Sequence, residues 1–216
     1  MEPIFRNRAD AGRALADLVS RSISDPDPLV LALPRGGVPV GFEVARALRA
    51  ELDIFLVRKL GLPGQEELAI GAIASGGVRV LNESLIQELR LSRHLIDRVT
   101  AQAEGELARR EKLYRRGRPA LTVRDRSVIL VDDGLATGAT MKAASAALRQ
   151  QGPTRIIVAA PVAAQEVFEE FRTNATGIVC LYTPKQFTAV GVWYEDFSQT
   201  TDDEVEALLT EATENR

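Results

Sequence analysis

A chain of 216 residues is long for one small domain and short for two full ones, so one core with an appended lobe is expected. Apolar residues make up 45% and charged residues 26%, the balance of a soluble globular protein. The net charge of −3 supplies no global field to recruit nucleic acid or an anionic membrane, and one cysteine excludes an internal disulfide framework.

The start, Met1-Glu2-Pro3-Ile4-Phe5-Arg6, lacks the apolar core of a signal peptide. No later stretch approaches the ~18 consecutive apolar residues of a membrane span, and the cytoplasm is the expected location. Residues 7–20 place Ala11, Ala14, Leu15, Leu18 and Val19 at helical spacing, ending before the breaker Ser24-Asp25-Pro26-Asp27-Pro28. Leu29 to Leu33 reads as a short buried strand, followed by Pro34-Arg35-Gly36-Gly37 and a helix to about Arg49 with Pro39 in its first turn. Asp53 to Val57 reads as a second buried strand ending in Arg58-Lys59. Residues 61–68 have the make-up of a mobile loop, in which Glu66 and Glu67 read as solvated. Ala69 to Ile73 and Val78 to Leu81 flank Ser75-Gly76-Gly77 as a hairpin.

Residues 82–118 are read as a helical insertion, one helix after Asn82 and a longer one from near Ser92 to about Arg116. Strands follow at 127–131, 155–160 and 178–181, with helices at 139–150 and 163–172 between them. Short apolar strands alternating with helices predict an α/β fold, a doubly wound parallel sheet covered on both faces. Cys180, in the apolar run Ile178-Val179-Cys180-Leu181, reads as a packing residue.

The strand Ser127-Val128-Ile129-Leu130-Val131 runs directly into Asp132-Asp133, then Gly134-Leu135-Ala136-Thr137-Gly138-Ala139-Thr140. Carboxylates at the carboxyl end of a parallel strand sit where open α/β sheets bind ligands. The small and hydroxylated residues after them can present backbone N–H groups and the Thr137 and Thr140 hydroxyls to one phosphate at a helix N-terminus. The acids would repel that phosphate, so they need hydroxyls or a metal. A ligand carrying a phosphate and a diol close together, as ribose 5-phosphate does, satisfies both. The string lacks the Gly-Lys-Ser/Thr ending of a nucleotide-triphosphate loop, and Arg35-Gly36-Gly37 lacks dinucleotide-site spacing.

This segment resembles the diphosphoribosyl-binding signature of type I phosphoribosyltransferases. The resemblance extends from about 29 to 197 and is most specific over 127–141. It implies that Asp132 and Asp133 hold the ribose hydroxyls and that Ala136, Thr137, Gly138, Ala139 and Thr140 bind the 5′-phosphate. Leu33-Pro34-Arg35-Gly36-Gly37 is similar to the family's diphosphate loop, although alone it could be an ordinary strand-to-helix turn. Lys59 resembles the basic residue that reaches the diphosphate, with Arg58 assisting, and residues 61–68 take the place of the family's lid. The chain as a whole resembles a group of bacterial phosphoribosyltransferase-like proteins, some of them fused to hydrolase domains.

The resemblance implies a transferase of nucleotide metabolism, with purine salvage as one setting. It would act on 5-phosphoribosyl diphosphate and a small nitrogenous acceptor, with Mg²⁺ held mainly by the ligand's own oxygens. A homodimer is left open. The segment 184–200 is similar to the hood of hypoxanthine-guanine enzymes, which implies Phe187 as a stacking ring, Trp193 as an alternative platform for the base, and Asp196 as a metal-side carboxylate. The basic residues of 109–126 share their helix with Glu104, Glu106 and Glu111, which favours salt-bridged solvation over nucleic-acid binding. A regulator that senses 5-phosphoribosyl diphosphate and binds RNA is the alternative function. His94 has no ligand-type partner nearby in sequence and reads as a surface residue.

Overall fold

The computed structural model describes residues 3–23, 25–173 and 177–214. In chain order its elements are α1 (Arg8–Ser22), β1 (Leu29–Ala32), α2 (Gly37–Leu48), β2 (Glu51–Ile54), β3 (Val57–Leu62), β4 (Gln65–Ala74), β5 (Val78–Leu81), α3 (Glu83–Glu88) and α4 (Arg93–Arg115). They continue as β6 (Ser127–Val131), α5 (Ala139–Arg149), β7 (Arg155–Val162), α6 (Gln165–Thr173), β8 (Gly177–Tyr182), a 3₁₀ turn at Val190–Trp193, and α7 (Asp202–Glu214).

Strands β1 and β6 are buried at every position, which is why they read as unbroken apolar runs. They lie at the centre of a five-stranded sheet in the order β2-β1-β6-β7-β8, with every neighbouring pair parallel. Alternate side chains divide between the faces. Val30, Ala32, Ile129 and Val131 pack with Leu15 and Val19 of α1 and Val38 and Val44 of α2. Leu29, Leu31, Val128 and Leu130 pack with Met141, Ala144 and Leu148 of α5. The fold is therefore the doubly wound parallel α/β sheet that the alternation of elements predicts. Its strand order reverses between β1 and β6, so the loops leaving those two strands meet at the crevice where such sheets bind ligands.

The apolar run 53–57 is not one strand. Phe55 still donates its N–H to Ala32 of the large sheet at 2.9 Å, but Leu56 exchanges hydrogen bonds with Ser75. The chain thus changes sheets within two residues and enters a second, antiparallel sheet of β3, β4 and β5. Arg58 and Lys59 belong to this smaller sheet rather than to the end of a core strand. The segment expected as a mobile loop at 61–68 is mostly strand, turning tightly at Pro63-Gly64 between the paired residues Leu62 and Gln65. Gly64 takes φ 84°, the left-handed conformation that the third residue of a type II turn requires. The side chains of Glu66 and Glu67 lie outside the described residues, as does Ser24 of the expected breaker. The hairpin around Ser75-Gly76-Gly77 forms as expected.

Helix α4 starts at Ser92, whose hydroxyl accepts from the Leu95 N–H. It buries Ile96, Ala103, Leu107 and Tyr114. Near its end Arg115 points Nε at both carboxylate oxygens of Asp53 (3.2 Å each) and donates to the Ile54 carbonyl, which ties the insertion to β2. Helix α7 was not expected. Its apolar positions Val205 and Leu209 are buried in the core shared by α1, α2 and α4. No helix among the described residues is long and apolar enough to cross a membrane.

Candidate functional site

Asp132 and Asp133 leave β6 beside the turn that joins β1 to α2, and glycines bring the two loops into contact. A Cβ on Gly36 would fall 2.0 Å from Asp133 Oδ2, and one on Gly37 would fall 2.8 Å from the Val131 carbonyl and 3.0 Å from Asp132 Cα. Only glycine fits at such an approach. The Asp132 carboxylate accepts from the Asp133 N–H at 2.9 Å. Asp133 Oδ2 accepts from Arg8 Nε at 2.8 Å, and the Asp133 carbonyl accepts from the Tyr194 hydroxyl at 2.6 Å.

Burial, and after it the charge of Asp133, pushes Asp132 well above the ordinary carboxylate range. Burial raises Asp133 as well, against the opposing hydrogen bond and charge of Arg8. Two buried acids this near to one another repel. They are suited to accept hydrogen bonds from a diol.

The loop after them feeds α5. Leu135 anchors it by exchanging backbone hydrogen bonds with Val162 and Ala164. Ala136 and Thr137 are exposed, and Thr137 Oγ1 accepts from the Ala139 N–H at 3.3 Å. Gly138 is left-handed (φ 66°), and a Cβ there would meet Val167 Cγ1 at 2.6 Å. As the N-cap of α5 it has no side chain to satisfy the first-turn N–H groups. Together with the exposed Thr140, this leaves a helix start whose N–H groups and hydroxyl are chemically able to accept an anion.

On the other side, the Pro34–Arg35 peptide is cis, and Arg35 lies 3.6 Å from Asp202 at the start of α7. Lys59 makes no ion pair among the described residues. Arg58 is directed at Glu106 of α4, at 4.0 Å. Both line a cleft of about 330 Å³ between β3 and α4.

The hood divides its aromatic residues between surface and interior. Phe187 is half-buried, and its ring stacks on Trp193 at 6.2 Å and 30°. Trp193 itself is only 4% exposed, packed with Phe5, Ala11, Val162 and Tyr194. It cannot serve as an open platform without the hood coming apart, because the ring that looked available is core. Asp196 is exposed, and its Oδ1 accepts from the Ser198 N–H, which holds the carboxylate below its usual range.

Three residues of this site were not singled out from sequence: Arg8, Tyr194 and Asp202. Each is brought in by tertiary packing from a segment remote from the acidic pair, and no local pattern signals it.

The chain matches the family model described as phosphoribosyl transferase domain over residues 3–192. Two Mycobacterium tuberculosis proteins, of strains CDC 1551 and H37Rv, have names that assign them to the phosphoribosyl transferases. Each is 46% identical over 209 residues, covering 97% of this chain and 47% of the relative. The chain thus spans about half the length of these relatives. The crystal structure of TT1426 from Thermus thermophilus is similar with TM-score 0.87 and 44% identity, covering 98% of this chain and 99% of that one. A Neisseria gonorrhoeae protein crystallised with bound ppGpp, 11% identical with TM-score 0.53 over 97% of both chains, shares the fold alone.

Proposed function

Since the chain belongs to the phosphoribosyl transferase domain family, we propose that it transfers the 5-phosphoribosyl group from 5-phosphoribosyl diphosphate to a nitrogen of a nucleobase or related heterocycle, releasing diphosphate. The observation that carries this reading is the meeting of two loops at the reversal of strand order. One offers paired carboxylates followed by an uncapped helix start, and the other offers Arg35 with two glycines in close approach.

In this mechanism Asp132 and Asp133 accept hydrogen bonds from the ribose hydroxyls. Thr137, Thr140 and the backbone of 136–140 hold the 5′-phosphate, and Arg35 meets the departing diphosphate. Lys59 assists from the small sheet. Bond breaking at the anomeric carbon leaves a cation-like sugar and needs no covalent help from the protein, so orientation and charge neutralisation supply the rate. Phe187 offers the acceptor base a partly exposed ring.

Among the described residues no three metal-ligating side chains cluster. Mg²⁺ fits such a site as an ion carried by substrate oxygens, with Asp196 as a single protein carboxylate. When bound, it would neutralise diphosphate charge. The rival reading, a sensor that binds RNA through α4, is not favoured. Glu106 accepts from Arg109 and Arg110 and is held down to about 2 by those bonds, so these two cations are paired within α4.

The test is a diphosphate-release screen across nucleobases with 5-phosphoribosyl diphosphate and Mg²⁺ supplied. Release that depends on one class of base supports the transferase. Binding of 5-phosphoribosyl diphosphate without release on any base would move the sensor reading to first place.

A further inference from the structure

Arg8 is the first residue of α1 and lies 125 positions from Asp133, yet it makes the shortest ion pair of the site. Its Nε is 2.8 Å from Asp133 Oδ2, its Nη1 donates to the Ser198 carbonyl at 2.7 Å, and its guanidinium lies 3.9 Å above the Phe197 ring. Both side chains of the pair are nearly out of solvent, at 11% and 14% exposure. A guanidinium held at three points has little freedom, and a buried ion pair is not a cheap way to join two segments, since apolar residues would do so without desolvation.

The partner it holds is the more revealing fact. Oδ2 of Asp133 is wedged between Arg8 and Gly36, whose hypothetical Cβ would lie 2.0 Å from Oδ2 and 3.1 Å from Arg8 Nε. Tyr194 fixes the backbone of the same residue. One carboxylate oxygen is therefore committed to the protein and the carboxylate plane is set.

We infer that Arg8 is a positioning residue for the sugar: it locks the Asp133 carboxylate so that Oδ1 is presented to a ribose hydroxyl, making the N-terminal helix and the hood parts of the ribose site. The inference rests on the ribose reading of the acidic pair. It also explains why Phe197 and Ser198 lie against the first turn of α1. They form the third wall of the socket that keeps Arg8 in place.

The experiment is calorimetric titration of the whole chain with two probes, ribose 5-phosphate, which carries the diol, and inorganic diphosphate, which does not. Arg8→Met keeps the apolar stem and removes the charge. It should weaken ribose 5-phosphate binding roughly tenfold, the scale of one charge-assisted hydrogen bond, and leave diphosphate binding unchanged. Arg8→Lys should recover part of the loss, and the combination of Arg8→Met with Asp133→Asn should lose no more than Asp133→Asn alone, because Arg8 acts through Asp133.

Equal weakening for both probes, or additive losses in the double variant, overturns the inference while leaving the ribose site intact. Failure of the parent chain to bind ribose 5-phosphate overturns the ribose reading itself, and this inference with it. If Arg8→Met does not fold, Arg8→Lys compared with the parent on the two probes decides the matter by the same criterion.

Discussion

Tyr114, in the last turn of α4, donates a 2.6 Å hydrogen bond to Asp202, the first residue of α7. The same oxygen, Oδ1, lies 3.6 Å from the guanidinium of Arg35. One carboxylate thus joins the helical insertion, the C-terminal helix and the loop after β1. Burial, and then the bond to Asp202, pushes the Tyr114 phenol up to about 12, so it stays a donor at neutral pH. In the proposed reaction Arg35 must exchange this carboxylate for a diphosphate, and the strength of the first contact sets how readily it does so.

The Arg35–Asp202 pair is partly exposed, and such pairs contribute only about 0–1 kcal/mol. Asp202→Asn should therefore tighten the binding of inorganic diphosphate, by at most roughly fivefold, since it removes a competitor for Arg35. Titration calorimetry with diphosphate reads this directly. Weaker binding in the variant would mean that Asp202 aims Arg35 rather than competing for it.

Gly36→Ala should abolish most turnover while Gly105→Ala should not. At Gly36 the added Cβ meets Asp133 Oδ2 at 2.0 Å and Cγ at 2.7 Å, so the carboxylate must move by about an ångström, a displacement that can lower rates on the order of 10²-fold. Gly105, exposed on α4, has nothing within 4 Å, and alanine there should raise stability by about 1 kcal/mol through helix propensity. Assays and thermal melts of the two variants in parallel separate a site effect from a general one.

The acidic pair should also be visible in the pH dependence of stability. Burial and the charge of Asp133 raise Asp132 above its ordinary value of 3.8, so the native state holds this proton more tightly than the unfolded chain does. The stabilising contribution is present below 3.8 and is lost as pH rises from there through the native-state value. Asp132→Asn removes that loss. Without ligand the variant should melt higher than the parent at neutral pH, with the difference shrinking as pH falls toward 3.8. Equal melting temperatures at neutral pH would show that the carboxylate is not strained in the free protein.

What was legible in the chain was what is contiguous in it. The apolar run 127–131, the two acids and the small-residue loop follow one another within about a dozen positions, and they form the end of β6 and the approach to α5 as that order predicts. The change of sheet at Phe55-Leu56 was not legible, because an apolar run has the same appearance whether it stays in one sheet or leaves it. The burial of Trp193 was not legible for a related reason: an aromatic residue in a hood carries no mark of which side it faces. Helix α7 had usable signals, Val205, Leu208, Leu209 and Ala212 at helical spacing and the Thr201 hydroxyl accepting from Glu204 N–H, though its acidic first turn resembles a solvated tail.

Helix α7 gives a quantitative check on that reading. Leu209 is 2% exposed and packs into the core that carries α1 and α2. Leu209→Ala should lower stability by about 2–5 kcal/mol, the usual cost of a large-to-small change in a packed core. Chemical denaturation measures it. A loss under about 1 kcal/mol, the ordinary surface range, would mean that α7 is only loosely attached.

The last prediction concerns the acceptor and rests on Ala136. The resemblance to hypoxanthine-guanine enzymes implies an aspartate just before the Thr-Gly of the phosphate loop, where it can interact with the purine N7. Here that position is Ala136, exposed at the mouth of the loop and with no proton to give or take. A 6-oxopurine reacts best with acid-base help, which typically contributes 10²–10⁴-fold. The other nearby acids do not replace it: Asp133 is held by Arg8, and Asp132 bonds the backbone of its neighbour. Guanine and hypoxanthine should therefore be poor acceptors, even though Phe187 offers a ring for stacking. Turnover with either base on the order of 10 s⁻¹, the middle of the enzymatic range, would sink this expectation and show that the hood alone selects the purine. If Ala136→Asp then raised activity on guanine without changing binding of ribose 5-phosphate, the missing group would be identified as the proton donor rather than as a contact to the sugar.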